Sequence, residues 1–261
     1  SVEGRGAGGR YFVPLNYQSF AVNELRQFQQ ENRNWPPVLA SHKGELFQFS
    51  VFHLGMVTVL AWFHWWVSGL PDSRGWTESG MLAVEKVIGG EWYRTVTALT
   101  LHVDYGHLIS NILGLLIFVG GVHQFVGLGV SWLLVLISGA IGNYGTALFY
   151  QSAHNAVGAS TAVFAAVGLL GAFGVRRYLL HKVFRRRFFV PLVGALGLFA
   201  MLGTNPASDV MAHIFGLLGG TLTGLICLPL TEAPVLKRWW IQVPALSLTI
   251  MAIIYCWQLQ R

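Results

Sequence analysis

Long apolar runs begin after Glu45 and recur along the rest of the chain, separated by polar links. A helix that spans a bilayer needs about 20 apolar residues, with a range of about 17–25. By that rule the sequence predicts seven spanning helices, at residues 47–69, 107–125, 128–150, 158–175, 188–204, 208–230 and 239–257. The fifth is the weakest, because it is short and contains Pro191, Gly194 and Gly197. The pattern therefore predicts an all-α polytopic membrane protein.

The polar stretches divide the chain into three parts. Residues 1–45 are too polar to bury a core and lack the apolar run of a cleavable signal peptide, so we expect a polar arm. Residues 46–230 hold six of the predicted helices, and residues 231–261 hold a link and the seventh. Residues 70–106 mix charged, aromatic and apolar side chains, and this composition favours an ordered loop that lies in the membrane interface.

Composition strengthens the membrane interpretation. The chain is 54% hydrophobic and 11% charged, whereas soluble domains carry about 25% charged residues. The net charge of +6 therefore indicates topology, and we expect no nucleic-acid partner. Cys227 and Cys256 lie in apolar segments without the spacing of a metal site or a disulfide framework, so we interpret them as packing residues. No second His or Cys lies at ligand spacing around His213, so we expect no metal and no cofactor.

Basic residues cluster in three polar segments that alternation of the helices places on one side of the membrane. They are Arg26, Arg33 and Lys43 before the first helix, Arg176, Arg177, Lys182, Arg185, Arg186 and Arg187 after the fourth, and Lys237 and Arg238 after the sixth. The positive-inside rule makes that side cytoplasmic, with the N-terminus. The second, fourth and sixth helices then start on the outer side.

Four polar residues fall at a similar depth in those three helices. His107 and Asn111 share one face of the second helix, Ser160 lies in the first turn of the fourth, and His213 lies near the start of the sixth. Alone, each of them is compatible with capping, packing or helix-to-helix hydrogen bonds. Together they indicate a site, because polar residues inside a membrane segment are costly.

The chemistry that these groups favour is nucleophilic catalysis. A serine hydroxyl needs a hydrogen-bonded base, and His213 is the candidate base for Ser160. No carboxylate is available on these helices for a triad, so we predict a dyad. His107, Asn111 and the Ser160 backbone N–H are candidate donors to an oxyanion, with Gly158 permitting the tight turn before the serine.

Small residues predict that the fourth and sixth helices pack closely. Gly216, Gly220 and Gly224 form one stripe along the sixth helix, near the face of His213. The fourth helix offers Ala162, Ala165 and Ala166, and small residues let helix backbones approach. We expect this approach to bring His213 to Ser160, with Phe164 packed against the imidazole. Outside the helices, we expect Arg94 to snorkel or to tie the loop to backbone carbonyls.

At these residues the sequence resembles the rhomboid intramembrane serine proteases, over about residues 90 to 225. "GGEWYRTVTALTLHVDYGHLISNILG" is similar to the first loop and the His-x4-His-x3-Asn pattern of the family. "VGAS" is similar to its Gly-x-Ser, and "AHIFGLLGG" to its Ala-His-x2-Gly-x3-Gly. The resemblance implies a six-helix core plus one C-terminal helix. It also implies Ser160 as nucleophile, His213 as base, His107 and Asn111 as the oxyanion pair, and Arg94 as a structural arginine.

One position departs from the family pattern. The family usually has Gly-x-Ser-Gly, and here Thr161 follows the serine. A β-branched residue at this place either crowds the approach of the sixth helix, shifts the serine, or donates its hydroxyl to a carbonyl in the preceding turn.

The resemblance implies an endopeptidase that cleaves transmembrane segments of membrane proteins, in a bacterial cytoplasmic membrane, with its site open to the extracytoplasmic side. Substrate would enter past the fifth helix. A catalytically inactive rhomboid-like protein that binds transmembrane clients is the first alternative, and Thr161 is its main support. A transporter or proton channel with His107 and His213 as relays is the second alternative, disfavoured because the polar groups lie at one end of the membrane.

Overall fold

The computed structural model describes residues 13–32, 51–181 and 209–260. The chain divides into two compact units, Ser1–Glu45 and Leu46–Arg261. In the first unit, a 3-10 turn at Leu15–Tyr17 leads into helix α1, Gln18–Glu31, which has no buried residue.

The described residues of the second unit form helices and one pair of very short strands. Its helices are α2 (Val51–Ser68), α3 (Ser73–Gly80), α4 (Val84–Ile88), α5 (Arg94–Thr97), α6 (Tyr105–Val126), α7 (Leu128–Tyr150), α8 (Ser160–His181), α9 (Val210–Ile226) and α10 (Trp239–Gln258). The strands are β1, Leu82–Ala83, and β2, Asn155–Ala156. Further 3-10 turns cover Ala98–Thr100, Leu228–Glu232 and Pro234–Lys237.

Six of the seven predicted spanning helices lie wholly or largely in the described residues. Helices α2, α6, α7 and α10 are long and apolar enough to cross a membrane, and α8 and α9 contribute shorter apolar stretches. The predicted fifth helix, 188–204, with Pro191 and its glycines, lies outside the described residues. The protein is a polytopic all-α membrane protein.

Helix α9 ends four residues earlier than the sequence predicted. It stops at Ile226, and Pro229 follows within the 3-10 turn Leu228–Glu232. Proline lacks the N–H that continues a helix, which explains the early end. At 17 residues and about 1.5 Å per residue, α9 is about 26 Å long.

Carboxylates cap the N-termini of α6 and α9, the helices that carry three of the predicted site residues. The side chain of Asp104 accepts a hydrogen bond from the backbone N–H of His107 at 2.7 Å, and so begins α6. Asp209 accepts from the N–H of Ala212 at 3.0 Å, and so begins α9. Each cap satisfies an N–H that the first turn of a helix leaves free.

Helix α8 is the central element of the core. Every residue from Ala159 to Leu170 is buried, and α8 packs against α6, α7 and α9. Large apolar side chains are exposed along α2 and α10, for example Trp62 and Met251, and also on α6, α7 and α9. Apolar groups facing outward are expected for helices surrounded by lipid.

A polar chain inside the bundle links α2 to α6 and α7. The Trp132 indole N–H donates to Nδ1 of His53 at 3.1 Å, and Nε2 of His53 lies 2.9 Å from Nδ1 of His123. Since Nδ1 of His53 accepts, Nε2 of His53 carries the proton and donates to His123. These groups are far apart along the sequence, and the sequence alone gave no sign that they meet.

Candidate active site

Ser160 begins α8 directly after a turn that only glycine adopts easily. Gly158 has a φ of 137°, a conformation that side-chain-bearing residues rarely take. Its N–H donates to the carbonyl of Ala98 at 2.9 Å. The next N–H, of Ala159, donates to Nε2 of His102 at 3.4 Å. The turn before the serine is therefore fixed from the side of the first loop.

His107 and Asn111 converge on this turn from α6. A Cβ added to Gly158 would lie 2.8 Å from Nε2 of His107 and 3.6 Å from Nδ2 of Asn111. Both side chains therefore lie beside the backbone of Gly158, two residues before Ser160. A side chain at position 158 would collide with the His107 ring, so glycine is required for space as well as for φ.

The side-chain amide nitrogen of Asn111 is a buried donor without a hydrogen-bond partner among the described residues. Asn111 is 1% exposed. A buried polar group without a partner costs about 1–3 kcal/mol, so such a group calls for an explanation. Here the amide lies beside the turn at Gly158 that precedes Ser160.

His213 lies on α9 and stacks on a ring of α8. The centroids of the His213 imidazole and the Phe164 phenyl ring are 4.5 Å apart, with 21° between the planes. Phe164 is one helical turn after Ser160, and both rings are buried. The stacking predicted from the sequence is present, and it holds the imidazole beside the first turns of α8.

Glycines let the backbones of α8 and α9 approach. A Cβ added to Gly216 would clash with the carbonyl oxygen of Thr161, and one added to Gly220 would clash with that of Ala165. Gly224 faces Ala172 in the same way, at 2.7 Å from an added Cβ. The predicted stripe thus faces α8.

The alanines of α8 divide between two neighbours. The Ala165 carbonyl faces Gly220 of α9, whereas Ala162 lies against Gly139 of α7, with its Cβ 3.0 Å from an added Cβ there. Ala166 is buried in the main apolar core.

Thr161, the departure from the family pattern, fits between two glycines. Its Cγ2 would lie 2.8 Å from a Cβ added to Gly142 of α7 and 3.1 Å from one added to Gly216 of α9. Thr161 is 3% exposed, and its methyl group occupies the space that both glycines leave. The expected crowding is therefore relieved, because the neighbouring positions on both helices lack side chains.

Arg94 binds backbone carbonyls of the first loop, which is one of the two roles that the sequence predicted for it. It is 4% exposed and donates to the carbonyls of Glu78 and Met81 at 3.0 and 3.1 Å, and to the Glu91 carboxylate at 2.5 Å. The Arg94 hydrogen bond lowers the pKa of Glu91, as do the Tyr93 hydrogen bond and the nearby positive charges, against an opposing effect of burial. The guanidinium of Arg94 is therefore buried among the groups of the first loop that it binds, and it does not extend to the membrane surface.

The loop in turn supports the strand that precedes Ser160. Strands β1 and β2 pair antiparallel, with Leu82 opposite Ala156 and Ala83 opposite Asn155. On α7, Asn143 donates from its amide to the Thr95 carbonyl at 2.8 Å. Arg94 binds the Met81 carbonyl, β1 begins at the next residue, and β1 pairs with β2, which ends two residues before Gly158. The contacts of Arg94 are thus connected to the turn at Gly158.

The imidazole rings of His64 and His107 both pack against His102 at the end of this loop. Burial, and secondarily the nearby His107 and His64, lower the pKa of His102 to about 3. A neutral His102 accepts the Ala159 N–H through Nε2, which leaves the proton on Nδ1. His64 meets the His102 ring edge-on at 6.1 Å and Tyr105 at 4.9 Å.

Sequence reasoning missed a polar cluster at the start of α9. Nε2 of His154 lies 2.6 Å from Oδ2 of Asp209, and the His154 ring stacks on Tyr150 at 3.9 Å. The pair ties the loop before β2 to the first turn of the helix that carries His213. The available signal was Asp209 itself, an N-cap residue ahead of an apolar run.

No group of three or more His, Cys, Asp or Glu side chains is arranged to hold a metal ion in the described part of the chain. The polar link "TNPASD", residues 204–209 after the predicted fifth helix, falls mostly outside the described residues.

Comparison with known proteins decides the family. The Rhomboid domain family matches residues 89–230, which is more than half of the chain and spans the first loop through α9. The chain belongs to the rhomboid family. The resemblance of the three sequence motifs is thereby confirmed at the level of the family.

Relatives in bacteria and plants carry rhomboid names. "Putative rhomboid protease YdcA" of Bacillus subtilis (strain 168) is 32% identical over 154 residues, which are 56% of this chain and 72% of that protein. "RHOMBOID-like protein 6, mitochondrial" of Arabidopsis thaliana is 35% identical over 162 residues, or 60% of this chain and 51% of that one. "Rhomboid protease GluP" of Bacillus subtilis (strain 168) is 32% identical over 133 residues, or 50% and 25%. Aside from YdcA, the chain spans about half or less of these relatives.

Proposed function

We propose that this rhomboid is an intramembrane serine endopeptidase that cleaves transmembrane segments of membrane proteins. The observation that carries the proposal is the convergence around Ser160. His107 and Asn111 meet the turn at Gly158 on one side, and His213 stacks on Phe164 one turn further along α8. A nucleophile, a base and oxyanion donors are the groups that acyl transfer needs.

The first half of the reaction forms an acyl-enzyme. Neutral His213 takes the proton of the Ser160 hydroxyl as Oγ attacks the carbonyl carbon of the scissile bond. The carbonyl oxygen becomes an oxyanion, which accepts hydrogen bonds from the Asn111 amide, His107 and the N–H of Ser160. His213 then gives its proton to the leaving amine, and the peptide bond breaks.

The second half releases the acyl group. His213 takes a proton from water, whose oxygen attacks the ester carbonyl, and a second oxyanion forms in the same place. Collapse of that intermediate returns the proton to Oγ of Ser160 and frees the new carboxylate. No carboxylate partner for His213 is part of the proposal, which makes the catalytic unit a dyad.

The substrate must unwind where it is cut, because the carbonyls of an intact helix are already hydrogen-bonded and shielded by side chains. With the N-terminus cytoplasmic, as the basic segments favour, Ser160 and His213 lie toward the extracytoplasmic side. Lateral entry past the predicted fifth helix belongs to the same proposal.

The test is cleavage in reconstituted vesicles of a single-span protein whose transmembrane segment carries small, helix-destabilising residues. We expect cleavage by the wild type and none by Ser160→Ala. Binding of the segment without cleavage by a folded wild type would instead support the client-binding alternative.

A further inference from the structure

A cavity of about 570 Å³ lies between α2 and α10, away from the side of α8 that faces His213. Its walls are formed by Val57 and Leu60 of α2, Ile253 of α10, and Leu99, with Ala159 and Ala162 at its inner end. The cavity therefore extends from the surface between the first and last spanning helices of the described chain to the residues that flank Ser160.

Four polar side chains along the walls, those of Thr249, Thr100, Trp257 and Trp132, already have hydrogen-bond partners. The Thr249 hydroxyl donates to the Ala245 carbonyl at 2.9 Å, and the Thr100 hydroxyl donates to the Thr97 carbonyl at 2.7 Å. The Trp257 indole N–H donates to Thr100, and that of Trp132 to His53. A buried water needs two to four polar partners, so these walls do not favour water. An empty cavity of this size would forfeit the dispersion contacts of its lining.

The surroundings of the cavity indicate what fills it. Val59, Trp62 and Ile254 line it and are more than half exposed, and they lie on two helices that cross the membrane. The medium at this surface is hydrocarbon. A spanning helix occupies on the order of 2,000 Å³, from a diameter of about 10 Å and a length of about 30 Å, and is too large. A cavity of 300–1,000 Å³ suits one slender apolar molecule.

One end of the cavity lies at α3, which contributes Trp76 to the lining and also carries the basic residue Arg74. Trp66, Trp76 and Trp257 meet there, with ring centroids 5.0 and 5.5 Å apart for the successive pairs, as in an interfacial aromatic belt. The exposed Gln258 lies at this end. Arg74 is exposed two residues before Trp76 in α3, and no carboxylate pairs with it in the described residues.

We propose that this cavity binds one acyl chain of a membrane phospholipid, whose phosphate lies beside Arg74. The chain lies along Val57 and Leu60 and ends against Ala159 and Ala162. Because these two alanines flank Ser160, the bound lipid supports the start of α8 from the side opposite α9. The proposal does not depend on the chemistry assigned to Ser160.

The test is native mass spectrometry of the full chain in mild detergent, after removal of lipid and addition of palmitoyl-oleoyl phosphatidylglycerol. Thr249→Phe and Leu60→Trp fill the cavity from opposite walls. Leu248→Phe is the matched control, since Leu248 neighbours Thr249 but is exposed and does not line the cavity. We expect one bound phospholipid on the wild type and on Leu248→Phe, and none on the filled variants. Their unfolding temperatures should equal or exceed that of the wild type.

A second arm examines the headgroup. Arg74→Gln should weaken phospholipid binding on the order of fivefold, and oleate should bind more weakly than the phospholipid. Equal binding of oleate and phospholipid would overturn the role of Arg74. Failure of the wild type to rebind phospholipid, or equal binding by both folded filled variants, would overturn the acyl-chain site itself.

Discussion

The imidazole of His213 and the phenyl ring of Phe164 stack at 4.5 Å between centroids, across the contact of α8 and α9. The stack links the candidate base to the helix of the candidate nucleophile. Such a stack favours one orientation of the imidazole, as the proposed role of His213 as a base in both halves of the reaction requires. Phe164 lies one helical turn after Ser160, so the ring that contacts His213 and the candidate nucleophile belong to the same helix, α8.

Phe164→Leu should therefore slow the chemistry. Aromatic pairs contribute about 0.5–1.5 kcal/mol beyond their buried area, so we expect kcat to fall by about 2- to 12-fold, with little change in KM. The control is Phe173→Leu, a buried ring on the same helix that packs on Phe125 instead. If both variants lose kcat equally, the stack has no special role in positioning His213.

Asn111→Leu should separate activity from stability. Its Nδ2 has no partner among the described residues, so the substitution removes a buried unpaired donor and should leave the unfolding temperature unchanged or higher. Loss of one oxyanion donor should lower kcat by about 100- to 1,000-fold.

The matched variant for that prediction is Asn143→Leu, another buried amide of a spanning helix. Asn143 donates to the Thr95 carbonyl, so this change should cost about 1 kcal/mol of unfolding free energy. A loss of stability in Asn111→Leu as large as in Asn143→Leu would mean that Asn111 is structural.

Gly216→Ala should loosen the contact between α8 and α9. The added Cβ would meet the carbonyl oxygen of Thr161, which belongs to backbone and cannot turn away. Overpacking of this kind costs about 1–3 kcal/mol, and the shift of α9 should also lower activity through His213. Denaturation in detergent measures the first effect and cleavage the second.

Gly171→Ala on α8 is the control for Gly216, because nothing lies within 4 Å of its added Cβ. Replacing glycine within a helix should stabilise it by about 0.5–1 kcal/mol. Equal effects of the two substitutions would contradict the close contact.

Acid should weaken the first loop through Glu91. The pKa of Glu91 is lowered from its ordinary value of 4.5, chiefly by the Arg94 hydrogen bond, so the ionised form stabilises the folded protein at neutral pH. This contribution is present above about pH 4.5 and is lost as the pH falls through the lower pKa of the folded state.

The measurement is the unfolding temperature of Glu91→Gln and the wild type between pH 7 and pH 3. The wild type should be the more stable at pH 7, and the difference should shrink in acid. Glu85→Gln, at an exposed position of α4, should show no such trend. A difference that is constant across the range would argue against the ion pair with Arg94.

Much of the fold was predictable from length and apolar pattern alone. The third predicted span, 128–150, coincides with α7, because its ends are set by Gly127 and by the left-handed Gln151. Alternation of the spans also predicted a common depth for His107, Asn111, Ser160 and His213, and the structure brings His107 and Asn111 to the turn before Ser160. Stacking of Phe164 on His213 followed from helical spacing plus the glycine stripe.

Other features depended on contacts that no local pattern records. The two-residue sheet at Leu82 and Ala156, the pair of His154 with Asp209, and the chain from Trp132 through His53 each join residues more than 50 positions apart. The fit of Thr161 likewise required knowing that Gly142 and Gly216 face it from two helices. Side-chain volume at one position predicts crowding only when its neighbours in space are known.

The most direct test of the account is labelling of the purified protein with a fluorophosphonate, with the modified residue located by mass spectrometry. We expect labelling at Ser160 in the wild type and in His123→Ala, a control histidine of α6 outside the site. We expect none in Ser160→Ala and strongly slowed labelling in His213→Ala. A folded, monodisperse wild type that stays unlabelled, or a His213→Ala variant labelled at the wild-type rate, would contradict the Ser160–His213 dyad.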